Sequence, residues 1–184
     1  MLRNQGLIHS KKGDLWVSAA LYTALGLILI TVILSVGMPF IDKIKNRNTL
    51  LQTKELLYGM DALIREVDNE GVGSRRPLYV DLQAGEFLIQ DEAANEKVLW
   101  KFISDDKLGI ESGSSVGQSG PIIKEGSLNL QSTKVGQGYE IKIWVEYKDR
   151  IDIRSTLKQL SGRYDLVVEH RQSEGNDYVE IREA

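Results

Sequence analysis

The sequence predicts an α+β protein: a long, kinked N-terminal α-helix followed by a small antiparallel β-sandwich or barrel. Three observations carry this reading. Residues 15–41, LWVSAALYTALGLILITVILSVGMPFI, run for 27 positions without one charged side chain. Residues 42–70 keep an apolar face at helical spacing. From Pro77 onward apolar residues recur at every second position between glycine-rich turns. Four segments follow: 1–13, polar and basic; 14–41, apolar helix; 42–73, amphipathic extension; and 74–184, β domain.

The apolar run decides the class. At about 1.5 Å per residue it reaches about 40 Å, more than the roughly 30 Å hydrocarbon core of a bilayer. A soluble core helix rarely runs so far without a polar stripe. A cleaved secretory signal has an apolar stretch of only about 7–15 residues and ends in an A-x-A-like site, so it fits poorly. Pro39 removes a backbone donor and crowds the preceding turn, which predicts a kink near Gly37–Pro39. Arg3, Lys11 and Lys12 precede the run, and Lys43, Lys45 and Arg47 follow it. The basic residues balance, so charge alone does not set the orientation.

In the extension, Ile41, Ile44, Leu51, Leu57, Met60, Ile64 and Val67 recur on one face, interrupted by Asn48 and Lys54. Glu55, Asp61, Glu66 and Asp68 lie largely away from it. Asn69, Glu70 and Gly71, then Val72 and Gly73, supply the stop. A helix from Asp14 to Glu70 would be about 85 Å long. A chain of 184 residues cannot bury that alone, so some apolar surface must meet lipid or other protein copies.

The β pattern begins with Leu78, Val80 and Leu82, then Phe87–Ile89, then Val98, Trp100 and Phe102 in KVLWKFI. Its clearest strand is 139–147, where Tyr139, Ile141, Ile143, Val145 and Tyr147 alternate with Glu140, Lys142 and Glu146. Segments 127–132, 151–155, 164–170 and 178–182 complete seven or so short strands. Residues 109–120, GIESGSSVGQSG, read as a flexible loop.

A net charge of −3 argues against a nucleic-acid binder, whose basic footprint should dominate. The absence of cysteine removes disulfides, thiolate metal sites and cysteine nucleophiles together. No phosphate-binding glycine loop, H-E-x-x-H, G-x-S-x-G or EF-hand spacing occurs, so neither an enzyme nor a cofactor is expected. His170 alternates with Val168 as a surface or half-buried strand residue, and no second histidine in the domain could share a metal with it. Asp91-Glu92 and Asp105-Asp106 could hold calcium but more often end strands as solvated turns. Arg75-Arg76 reads either as a solvated basic linker or as a contact for anionic lipid or a neighbouring subunit. Trp144 falls on the polar face of the best strand, between Lys142 and Glu146. It is a candidate subunit contact, unless both faces of that strand are covered within the domain. No N-glycan acceptor is present.

Lys11-Lys12-Gly13 stands directly before the charge-free run, which leads through a kinked amphipathic extension into a β domain. This order resembles the type IV pilin-like proteins, and the archaeal branch in particular. The resemblance rests on residues 9–70 and on architecture beyond them. It implies that residues 1–13, His9 among them, are a leader removed by a prepilin peptidase between Gly13 and Asp14. The mature protein would then begin at Asp14, a carboxylate favourable at a helix start. Bacterial members carry glutamate at the fifth mature position; here that residue is Ser18, as suits the archaeal branch. Ser18, Ala20, Ala24 and Gly26 are small enough for close helix approach, although no GxxxG pair occurs. The implied protein is a single-pass membrane precursor that becomes a major or minor subunit of a surface filament, its β domain outside. Its implied partners are the membrane, the prepilin peptidase, copies of itself or related pilins, a pilus assembly ATPase and a membrane platform protein. The alternative is an uncleaved, signal-anchored surface protein whose β domain binds a ligand.

Overall fold

A computed structural model describes residues 11–92, 95–147 and 150–184, with side chains from Trp16 onward. Residues 1–10 of the expected leader, including His9, lie outside the described residues. One helix, α1 (Lys11–Glu70), is followed by ten strands. The chain divides into two compact units, Met1–Ile44 and Lys45–Ala184. Helix α1 is assigned without a break through Pro39. Because Pro39 has no N–H, the carbonyl of Ser35 loses its intrahelical donor.

In the second unit the strands are β1 (Arg75–Asp81), β2 (Glu86–Gln90), β3 (Lys97–Ser104), β4 (Ile123–Glu125), β5 (Leu128–Val135), β6 (Gly138–Glu146), β7 (Ile153–Ser155), β8 (Gln159–Leu160), β9 (Arg163–Ser173) and β10 (Asn176–Glu183). They form two open sheets, ordered β1-β9-β10-β7 and β4-β5-β6-β3-β2-β8. The barrel alternative is thereby removed, since neither sheet closes on itself. Every pairing is antiparallel except β10 with β7, where Val179 to Ile181 run beside Ile153 to Ser155.

Register explains the core. Ile123, Leu130, Ile143, Trp100, Phe87 and Leu160 form one continuous row across all six strands of the second sheet. A second row joins Val145, Val98 and Ile89. With Leu166, Val168, Val179, Ile181 and Ile153 from the first sheet, they make one apolar cluster. The alternation read from 139–147 holds: Ile141, Ile143, Val145 and Tyr147 are all buried.

Helix α1 enters the same cluster. Leu50, Leu57, Met60, Ile64 and Val67 are buried, and Thr53 completes a stripe of heptad spacing. Two features of the expected face change. Leu50 is the buried leucine, while Leu51 and Ile44 are exposed. Thr53 occupies the stripe position, so Lys54 is not an interruption but a flank, bonded to Glu125 at 2.5 Å. One residue earlier in the stripe, Asn46 donates to Ser104 Oγ at 3.3 Å. Tyr58 donates to the Glu125 carbonyl at 2.6 Å; burial and the nearby Glu125 carboxylate push its phenol up. Burial and the Asp61 carboxylate likewise push the Tyr147 phenol far up, so it stays protonated.

The helix stops where glycine allows. Gly71 adopts φ +89°, the left-handed conformation of a helix C-cap. The freed carbonyl of Val67 accepts from Ser74 Oγ at 2.7 Å and lies 3.2 Å from His170 Nδ1. His170, expected at the surface or half-buried, is thus buried at 5% exposure and belongs to the helix cap. Gly85 is required for a second reason, close approach as well as backbone conformation. It adopts φ +79°, and a Cβ there would sit 2.5 Å from the Lys101 carbonyl and 2.7 Å from the Trp100 indole nitrogen. That indole donates to the Ala84 carbonyl at 3.1 Å.

The glycine-serine segment 109–120 is laced to β5. Gly117 and Gly120 donate to the carbonyls of Lys134 and Ser132 at 2.7 and 2.8 Å, and the Ser119 and Thr133 hydroxyls meet at 2.9 Å. These bonds cover part of the β5 edge that the three-residue β4 leaves open.

Candidate functional site

The feature without an explanation inside the chain is the first half of α1. From Trp16 the helix is long and apolar enough to cross a membrane, with mean hydropathy 2.5 in its most apolar 18-residue window and none of that window buried. Trp16, Tyr22 and Val36 are more than 70% exposed, and the leucines and isoleucines between them are more than half exposed. Monomeric soluble proteins rarely expose more than a few hundred Å² of contiguous apolar surface.

Three hydroxyls in this stretch are satisfied within the helix. The hydroxyls of Thr23, Thr31 and Ser35 donate to the carbonyls of Ala19, Leu27 and Thr31 at 2.9, 2.8 and 2.6 Å. Bonds back to the residue four earlier let hydroxyls sit in apolar surroundings without an outside partner. The segment therefore presents a surface with almost no demand for water.

At about 100° per residue, Ala20, Ala24, Thr31 and Ser35 share one stripe and Ala19, Gly26 and Gly37 a second, with Trp16, Leu27 and Leu34 between the two. Large apolar residues therefore occur on every side. Of the residues expected to pack between helices, Ala20 and Ala24 fall on the first stripe and Gly26 on the second, while Ser18 and Pro39 lie outside both. A Cβ at Gly26 would meet nothing within 4 Å, so a larger residue there strains no contact in this chain.

Of the expected processing site, the backbone of Lys11, Lys12, Gly13 and Asp14 is described, and it is helical.

Trp144 is covered by its own domain. It stands in a cross-strand row between Asn129 and Leu99, with all three no more than 9% exposed. Its indole nitrogen donates to Glu146 Oε1 at 2.7 Å. The structure thus favours the reading in which both faces of this strand are covered. The signal was in the sequence, since a tryptophan one strand position from a carboxylate on the same face can satisfy its N–H locally. Arg76 pairs with Glu70 at 2.5 Å and Glu66 at 3.5 Å, tying β1 to the helix end, whereas Arg75 is exposed. Asp91 is held 2.5 Å from Lys158 and accepts from the Ser155 amide, so it serves as a structural anchor. The Lys158 hydrogen bond holds its carboxyl below the usual range. No cluster of three metal-ligating side chains occurs among the described residues.

Comparison with protein-family models, with curated proteins and with solved structures returns no match.

Proposed function

We propose that the chain is a structural subunit, a major or minor pilin, of an archaeal type IV pilus-like surface filament, assembled through its N-terminal apolar helix. The observation that supports this is a helix apolar on every side over residues 16–41, continuous with a segment anchored in a β domain. A lipid anchor alone needs only apolarity. Two narrow stripes of small residues, one with Ala20 and Ala24 and one with Ala19 and Gly26, add places where a second helix can approach closely.

Processing after Gly13 would leave Asp14 at the helix start and keep the apolar segment. Moving that segment from lipid into a bundle of like helices costs little, because both surroundings are apolar and the Thr23, Thr31 and Ser35 hydroxyls carry their own acceptors. Packing along the Ala20–Ala24 stripe or the Gly26 stripe would then favour the bundle.

The test is the N-terminal mass of the protein from cells with and without an archaeal-type prepilin peptidase. Loss of residues 1–13 only with the peptidase, blocked by Gly13→Val, is the expected result. An intact Met1 terminus in both would leave a signal-anchored surface protein and sink the filament reading. Gly26→Leu should then abolish filaments while membrane insertion persists.

A further inference from the structure

A cavity of about 410 Å³ lies within the C-terminal unit, lined by Arg65, Lys124, Gly126, Ser127, Asn129, Glu146 and Arg150. Its volume falls in the range of small-molecule sites. The β4–β5 turn supplies the two small residues, so the backbone forms part of the wall. Three cations face one carboxylate. Asp61 neutralises Arg65 through a 2.9 Å bond to Nε. Lys124 and Arg150 have no carboxylate within ion-pair distance among the described residues. Among the described residues Glu146 offsets one of them, which leaves one positive charge uncompensated.

Two polar groups give this charge a setting. Asn129 is 8% exposed and lines the cavity, where its amide stays open to solvent or to a ligand. Glu146 is oriented by the indole N–H of Trp144 on Oε1, which leaves Oε2 as an acceptor. A second cavity, of about 480 Å³ beside Gly85, lacks these features: its Lys101 is neutralised by Glu86 at 2.6 Å.

We propose that the first cavity binds a small hydroxylated monocarboxylate of the uronic-acid type. Lys124 and Arg150 take the carboxylate, while Asn129 and Glu146 Oε2 take hydroxyl groups. The single excess positive charge matches a monoanion. The Glu146 carboxylate repels a phosphate dianion but accepts from a sugar hydroxyl, so it discriminates between the two. A neutral sugar satisfies the amide and leaves the cations unpaired. This site does not depend on filament assembly, because all its residues belong to the unit Lys45–Ala184.

The experiment is a calorimetric titration of the full chain in detergent with sodium glucuronate, glucose and inorganic phosphate. Saturable binding of glucuronate is expected, at least about tenfold tighter than either comparator. Lys124→Gln and Arg150→Gln, both exposed positions, should each weaken it about tenfold without shifting the melting temperature. Glu146→Gln should narrow the preference for glucuronate over phosphate. No saturable glucuronate binding, equal binding of phosphate or glucose, or full affinity in both cation variants would overturn the proposal. Should one cation variant fail to fold, the other still decides.

Discussion

Residues 16–41 and 46–67 belong to one helix and are both rich in large apolar side chains, yet the chain covers only the second. In the second, burial follows a narrow stripe, Leu50, Thr53, Leu57, Met60, Ile64 and Val67, with charged residues around it. In the first, apolar residues surround the axis and nothing in the chain covers them. The difference separates two uses of the same secondary structure. A one-sided stripe is a request for a single partner, which the two sheets meet. An all-round apolar surface requires an apolar medium or several neighbours.

The comparison breaks most sharply if the stripe is removed. A chain beginning at Arg76 loses five buried side chains, worth about 10 kcal/mol together at about 1.5–3 kcal/mol each. That rivals the whole net stability of about 5–15 kcal/mol expected of a domain. Such a chain should lack a cooperative melt by circular dichroism, whereas one beginning at Lys45 should keep it. Cooperative melting of the shorter chain would show that the helix is an ornament of the β unit.

Single truncations sharpen the same contrast. Leu57→Ala or Ile64→Ala should cost about 2–5 kcal/mol in chemical denaturation of the C-terminal unit. Ile28→Ala should change it by less than about 0.5 kcal/mol, since Ile28 touches no core. Equal effects would mean that the two halves are stabilised together. Within the β unit, Gly85→Ala should cost about 1–3 kcal/mol, because it combines a left-handed backbone with a clash against the Lys101 carbonyl. A melt unchanged by that substitution would mean the turn relaxes freely.

The smallest effect is electrostatic. On the outer face of the first sheet, Glu169 and Glu180 stand directly opposite each other, flanked by Arg171 and Arg182. Burial raises the Glu169 pKa, but the bonds from Arg182 and Arg171 outweigh it and the net shift is downward. The Lys158 bond lowers that of Asp91 in the same sense. A carboxylate whose folded-state pKa is lowered contributes stability above its unfolded value, near 4, and loses it as pH falls through the folded one. Thermal melts of the Lys45–Ala184 unit should therefore weaken below about pH 4, and Glu169→Gln should remove part of that dependence. At partly exposed sites each contribution should be no more than about 1 kcal/mol. Identical acid profiles for wild type and variant would assign the acid sensitivity to other groups.

Much of this was legible before any coordinates. Twenty-seven uncharged residues establish an apolar helix by length alone, and the alternation in 139–147 identifies the core face of β6, because side-chain period is a property of the local backbone. What the sequence could not carry was which neighbour each face meets. The choice of Leu50 over Leu51, the parallel edge between β10 and β7, the tethering of 109–120 to β5 and the burial of Trp144 all depend on residues far away in the chain. The cationic cavity is of the same kind. Arg65, Lys124, Asn129, Glu146 and Arg150 come from a helix, three strands and a loop, and no spacing in the sequence announces their meeting. Periodicity is decided locally by backbone geometry, whereas burial and convergence are decided by pairing register, which only the folded chain supplies.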